Sequence, residues 1–136
     1  MADYYSQCSE LVHCTLEQYE WLVDYLEEND ELYVLGCIEY QADPDADYTG
    51  MWVHDSEGWV PEELFEALGM LVKLFNLKPI FIEIAFTCSK PRLSAFGGQL
   101  VMITADEIRS RGTSNIRVEW EEEEVKRMTD NEHTTV

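Results

Sequence analysis

A chain of 136 residues with 46% hydrophobic and 12% aromatic residues can bury one domain's core and is too apolar to remain disordered. Its 28 acidic and 9 basic residues give a net charge of −19, which opposes direct binding to nucleic acid or anionic membrane, both polyanions. No apolar run approaches the ~18 residues of a membrane span, and Met1-Ala2-Asp3-Tyr4-Tyr5 lacks a basic segment leading into an apolar one, so a soluble, cytoplasmic protein is expected.

The first predicted helix runs from about Thr15 to Asn29, where Thr15 and Gln18 have the spacing of a capping box. At 100° per residue, Leu16, Tyr19, Leu22, Val23 and Leu26 share one face. Glu17, Glu20, Asp24, Glu27 and Glu28 share another, with Trp21 and Tyr25 beside them. Residues 32–40, LYVLGCIEY, and 48–55, YTGMWVHD, read as two strands of an antiparallel hairpin. Asp55-Ser56-Glu57-Gly58 is turn chemistry. Pro61 then suits the first position of a second helix, with Glu62 and Glu63 in its first turn and Leu64, Leu68, Leu71 and Phe75 on its buried side. Asn76 and Pro79 end it.

Residues 80–87, IFIEIAFT, alternate as a strand with Ile80, Ile82, Ile84 and Phe86 on one side, and QLVMIT forms the next strand. Thr104 and Glu107 repeat the capping-box spacing and predict a short helix to Arg111. Ile116, Val118 and Trp120 alternate with charged residues as in a fifth strand, a helix from Ser114 being the alternative. The expectation is an α+β, two-layer sandwich over residues 1–120, in the order α-β-β-α-β-β. It has one mainly antiparallel sheet of four to five strands with two helices on one face. Residues 121–136 form an acidic tail, either a frayed helix or disordered. The uncovered sheet face, carrying Phe81, Tyr33, Leu35 and Trp52, calls for a C-terminal cover, a homodimer or a partner.

The sites worth weighing follow from charge. No Lys or Arg precedes Lys73, whereas residues 1–72 hold 18 Asp and Glu; residues 73–117 hold seven basic residues against three acidic. A helix with carboxylates every ~5 Å, extended by Asp30 and Glu31, can stand in for a phosphate backbone in a groove built for DNA or RNA. Trp21 and Tyr25 are its anchors. The competing reading is an ordinary solvated helix face, although such faces usually mix both signs. The segment Cys88–Gly98 sets Lys90 and Arg92 beside Gly97 and Gly98, either to hold an anion or as a wide turn whose glycines supply positive φ.

Asp43-Pro44-Asp45-Ala46-Asp47 starts like a calcium loop but fails at Tyr48 and His54. Cys8 and Cys14 with His13 are spaced too widely for an ordinary zinc pair, and Cys8, Cys14, Cys37 and Cys88 read as free thiols. His54 has no nucleophile in a recognisable motif nearby. No catalytic residue, metal or cofactor is assigned.

The stretch Thr87 to Asp106, TCSKPRLSAFGGQLVMITAD, resembles one in small uncharacterised proteins of bacteriophages and mobile elements, which read C-S-x-P-R, then F-G-G-G, then I-T-A. Gln99 departs from that pattern. The resemblance covers about twenty residues and implies a viral or mobile-element origin, hence the host cytoplasm, without a mechanism. The leading expectation is a non-enzymatic inhibitor that binds a basic, nucleic-acid-binding host protein as a nucleic-acid mimic. The alternatives are a virion or mobile-element assembly protein that oligomerises through the outer sheet face, and a small-anion binder or enzyme using the Lys90–Gly98 loop.

Overall fold

A computed structural model describes residues 3–43, 45, 48–90 and 96–134, with backbone alone at 48 and 131–134. The strands are β1 (Tyr4–Gln7), β2 (Ser9–Val12), β3 (Ile38–Asp43), β4 (Tyr48–His54), β5 (Ile80–Cys88), β6 (Gly97–Ile103) and β7 (Ile108–Gly112). The helices are α1 (Leu16–Glu28), α2 (Glu62–Phe75) and α3 (Thr113–Thr134), with a 3-10 helix at Leu32–Cys37. The α+β class and the antiparallel pairing agree with the sequence reading. The strands divide, however, between a four-stranded sheet, β1-β5-β6-β7, and a three-stranded sheet, β2-β4-β3.

The division is made by residues 4–12, which carry no strong strand signal. Tyr4 opposes Cys88 and Gln7 opposes Ala85 in the first sheet, while Ser9 opposes His54 and Val12 opposes Met51 in the second. The switch falls at Cys8, whose N–H leaves the ladder for Asp55 Oδ1 at 3.2 Å. Asp55 Oδ2 accepts from Gly58 N–H at 2.9 Å, so one carboxylate ties the corner to the tight turn expected at 55–58. Glu57 (φ 51°) and Gly58 (φ 83°) supply the two positive-φ positions of that turn. At the far end of β2, a Cβ on Gly50 would lie 2.3 Å from the Val12 carbonyl oxygen, so only glycine lets β4 pass so close.

The start of α1 and the ends of both α1 and α2 follow their residues, whereas Pro61, expected at the first position of α2, precedes it as an N-cap with no side-chain hydrogen bond. Thr15 and Gln18 form the reciprocal capping box, worth ~1 kcal/mol. At the other end, Asp30 N–H donates to Glu27 C=O and Glu31 N–H to Leu26 C=O, with Asp30 left-handed at φ 57°. Asn76 does the same for α2 at φ 51°, with Leu77 N–H on Val72 C=O. Leu22 and Leu26 of α1 join Leu64, Leu68 and Leu71 of α2 over Met51, Val53, Ile82, Val101 and Ile103 in one core. All ten are fully buried, each contributing ~1.5–3 kcal/mol of burial energy. Leu16, assigned to the apolar face, is 48% exposed.

Three local expectations are corrected. Residues 32–37 are 3-10 helix, burying Val34 and Cys37 at a spacing of three, and only 38–43 are strand. The residues expected to form a helix from Thr104 to Arg111 instead make the turn between β6 and β7 (104–107) and most of β7 itself. Thr104 Oγ1 accepts from Glu107 N–H at 3.1 Å, as a cap would, but Thr104 N–H pairs back to Glu107 C=O and closes a hairpin. Residues 116–120 are not a fifth strand but lie in α3, the helical alternative, which starts at Thr113 and continues to Thr134 through the expected acidic tail.

Candidate interaction surface

Docking of α1 through Leu22 and Leu26 leaves Glu17, Glu20, Asp24, Glu27 and Glu28 exposed on its outer side, followed by exposed Asp30 and half-buried Glu31. Within α1, Glu17 to Glu28 spans ~16 Å at 1.5 Å per residue, which sets its carboxylates at a mean interval of ~4 Å. One strand of a DNA duplex carries a charge per ~3.4 Å. The salt bridges among the described residues join Arg109 to Glu107, Arg111 to Glu119, Arg117 to Glu121 and Arg127 to Glu124. The α1 carboxylates take part in none.

Local stability does not explain this placement. The last turn of α1 holds no basic residue, and Glu27, Glu28 and Asp30 set negative charge against the negative end of the helix dipole. An aspartate in the left-handed C-terminal position also costs ~1 kcal/mol relative to glycine.

Trp21 and Tyr25 stack on each other at 5.3 Å and 19°, and Phe75 of α2 meets Trp21 edge-on at 5.8 Å. They are half-buried in the seam between the helices. Tyr33 and Leu35, expected on an uncovered sheet face with Phe81 and Trp52, lie instead in the 3-10 helix, and Trp52 belongs to a different sheet from Phe81; Tyr33 forms a second, more exposed aromatic pair. Tyr33 and Trp59, 45% and 53% exposed, stack at 6.0 Å. Burial, then the nearby carboxylates of Glu63, Glu31 and Glu66, push the Tyr33 hydroxyl pKa up. The acidic surface therefore runs from the end of α1 to the first turns of α2 around an open aromatic pair. Its signal was faint because Tyr33 sits in an apolar run that matches strand and 3-10 spacing alike.

The remaining candidates fall elsewhere. Arg92 lies outside the described residues, and Lys90 is exposed. Gly97 and Gly98 lie within β6 rather than in a turn, and neither has positive φ. Gly98 N–H donates to Thr113 Oγ1 at 3.2 Å, and a Cβ on Gly97 would sit 3.0 Å from the same oxygen. These glycines make room for the start of α3. His54 Nδ1–H donates to the Asp55 carbonyl at 2.7 Å, and its ring lies 4.0 Å from that of Trp52.

Cys8, Cys14 and Cys37 are buried free thiols. Burial, reinforced by Asp55, pushes Cys8 up to about 12; burial also raises Cys14 and Cys37. Among the described residues no three His, Cys, Asp or Glu side chains converge as a metal site requires. Of the calcium-like segment, Asp43 Oδ1 accepts from Asp45 N–H at 3.0 Å, while positions 44, 46 and 47 lie outside the described residues. An open groove of about 420 Å³ between α2 and β5–β7 has an apolar floor of Phe65, Ile84, Phe86 and Val101, with Glu62 and Glu66 lining it. No described helix is long and apolar enough to cross a membrane. Comparison with protein-family models, curated proteins and solved structures gives no match.

Proposed function

We propose that this is a non-enzymatic interaction protein that presents the acidic surface of α1 to a basic, nucleic-acid-binding protein and occupies it in place of nucleic acid. The observation that carries this reading is the row of seven carboxylates from Glu17 to Glu31, with no Lys or Arg before Lys73 to neutralise it. Its charge spacing is close to that of a phosphate strand. Trp21, Tyr25, Tyr33 and Trp59 supply aromatic contact beside the charge, the type of residue that dominates binding energy at interfaces. The resemblance at Thr87–Asp106 adds a phage or mobile-element origin and a host protein as the target.

The test is a pull-down from bacterial lysate at low salt, comparing the protein with the Glu20→Lys/Asp24→Lys/Glu27→Lys variant. The expected result is capture of a nucleic-acid-binding protein that added duplex DNA displaces and salt releases. Its capture should fall at least tenfold for the variant. Equal capture by the charge-reversed variant sinks the reading.

A further inference from the structure

The stacked pair Tyr33–Trp59 stands outside the packing of the molecule. Neither ring belongs to the core or to the half-buried residues packed against it. Each covers part of the other, yet about half of each remains open to solvent. Folding therefore gains little from leaving a tryptophan and a tyrosine at this point of the surface.

Both rings nevertheless have firm supports. Trp59 closes the tight turn at 55–58, its N–H donating to the Ser56 carbonyl at 3.1 Å and its carbonyl accepting from Ser56 N–H at 2.9 Å. Tyr33 stands on the 3-10 helix between buried Val34 and Cys37 on one side and Glu31 on the other. A Cβ on Gly36 of that helix would lie 3.3 Å from Ser56 Oγ, so the helix rests on the same turn. Side chains ordered before binding lose little freedom when a ligand arrives.

The setting is acidic. Glu31 precedes Tyr33 by two residues, and Glu63 and Glu66 of the first turns of α2 lie near enough to raise the Tyr33 hydroxyl pKa, Glu63 through a hydrogen bond as well. None of the three takes part in the salt bridges among the described residues. An open aromatic face edged with unbalanced carboxylates suits a cation that is itself flat. A guanidinium stacks on such a face and turns its N–H fork towards carboxylates, whereas an ammonium is a strongly hydrated point charge.

We infer that the Tyr33–Trp59 pair, with Glu31, Glu63 and Glu66 beside it, is the docking site for an arginine side chain of the basic partner. This rests on the reading of the acidic surface as protein-binding and adds a selection to it. Phosphate-binding surfaces present both lysine and arginine. The carboxylates of α1 accept either, and the aromatic pair favours arginine.

Fluorescence anisotropy with labelled nona-arginine and nona-lysine at one ionic strength tests it. Nona-arginine should bind more tightly by about threefold or more. Tyr33→Leu and Trp59→Leu should each remove that preference and leave nona-lysine binding unchanged. The Glu20→Lys/Asp24→Lys/Glu27→Lys protein should bind both peptides more weakly and keep the preference. In the unmutated protein the assigned Trp59 indole N–H resonance should shift with nona-arginine and stay in place with nona-lysine, a readout that holds even where a variant fails to fold. Equal affinity for the two peptides overturns the inference, as does a preference that both variants keep or a Trp59 resonance that nona-arginine leaves unmoved. The two readings fail separately. A partner captured in the pull-down without any arginine preference removes this site alone, and an arginine preference alongside equal capture by the charge-reversed protein removes the mimicry alone.

Discussion

Helices α1 and α3 each place five carboxylates within twelve residues or fewer, Glu17 to Glu28 in one and Glu119 to Glu124 in the other. In α3, Glu119, Glu121 and Glu124 each have an arginine partner, and Arg127 holds the Glu124 carboxyl below its usual range by a charged hydrogen bond. In α1 no carboxylate has such a partner, although packing on the core holds the helix firmly. The difference teaches where each helix gets its order. A freestanding helix needs its charges balanced locally, whereas one anchored by Leu22 and Leu26 can carry unbalanced charge and present it outward.

The sharpest way to break this comparison is to remove an anchor. Leu26→Ala should cost ~3 kcal/mol in urea denaturation, while Arg127→Ala on α3 should change stability by less than ~0.5 kcal/mol and lower only the helical dichroism. Similar losses from the two would mean that α3 is as firmly docked as α1.

Alkaline titration comes next, because it loosens the body that anchors α1 without touching the ion pairs of α3. The Cys8 thiol is raised from 9.0 to about 12 in the folded protein. Below pH 9 both folded and unfolded chains keep the proton and its contribution is complete. Above that only the unfolded chain ionises, so stability falls by up to ~1.4 kcal/mol per pH unit as pH approaches 12. Denaturation midpoints at pH 8 to 10.5 should decline, and Cys8→Ala should flatten the slope. An unchanged slope in the variant would mean that the corner is open to water.

The smallest effect sharpens the electrostatic half. Glu27→Gln or Glu28→Gln at the end of α1 should each stabilise the protein by ~0.3–1 kcal/mol, and the gain should shrink with added salt. Removing Glu121 from α3 should instead destabilise its helix slightly, by ~0.3 kcal/mol. The same sign in both helices would erase the distinction.

Legibility followed the strength of local signals. The capping box at Thr15, the apolar face of α2 and the alternation of Ile80, Ile82 and Ile84 all specified their elements, because burial and local propensity agree there. Val34 and Cys37 sit in an apolar run that permits several periods, and in the folded chain they are buried at the 3-10 spacing of three. Ile116, Val118 and Trp120 alternate as a strand would, yet Val118 and Trp120 are exposed. No burial pattern overrides the helix preference of the Glu-rich residues after them. The short strands β1 and β2 bury only Val12 within their spans and so left almost no pattern to read. The acidic row was visible from sequence; the Tyr33–Trp59 pair needed the folded chain to bring residues 33 and 59 together.

The corner at Cys8 has a consequence for the order of assembly. Tyr4–Gln7 and Ser9–Val12 are made before the strands they join: Val12 has no partner until Met51 is made and Tyr4 none until Cys88. This segment thus waits for both partners and is among the last to find its place. Neither sheet is complete until the same nine residues thread between β4 and β5, a pairing distant in sequence and correspondingly slow. During that interval the stretch is an unpaired strand edge, open to any extended chain that meets it before β5 does.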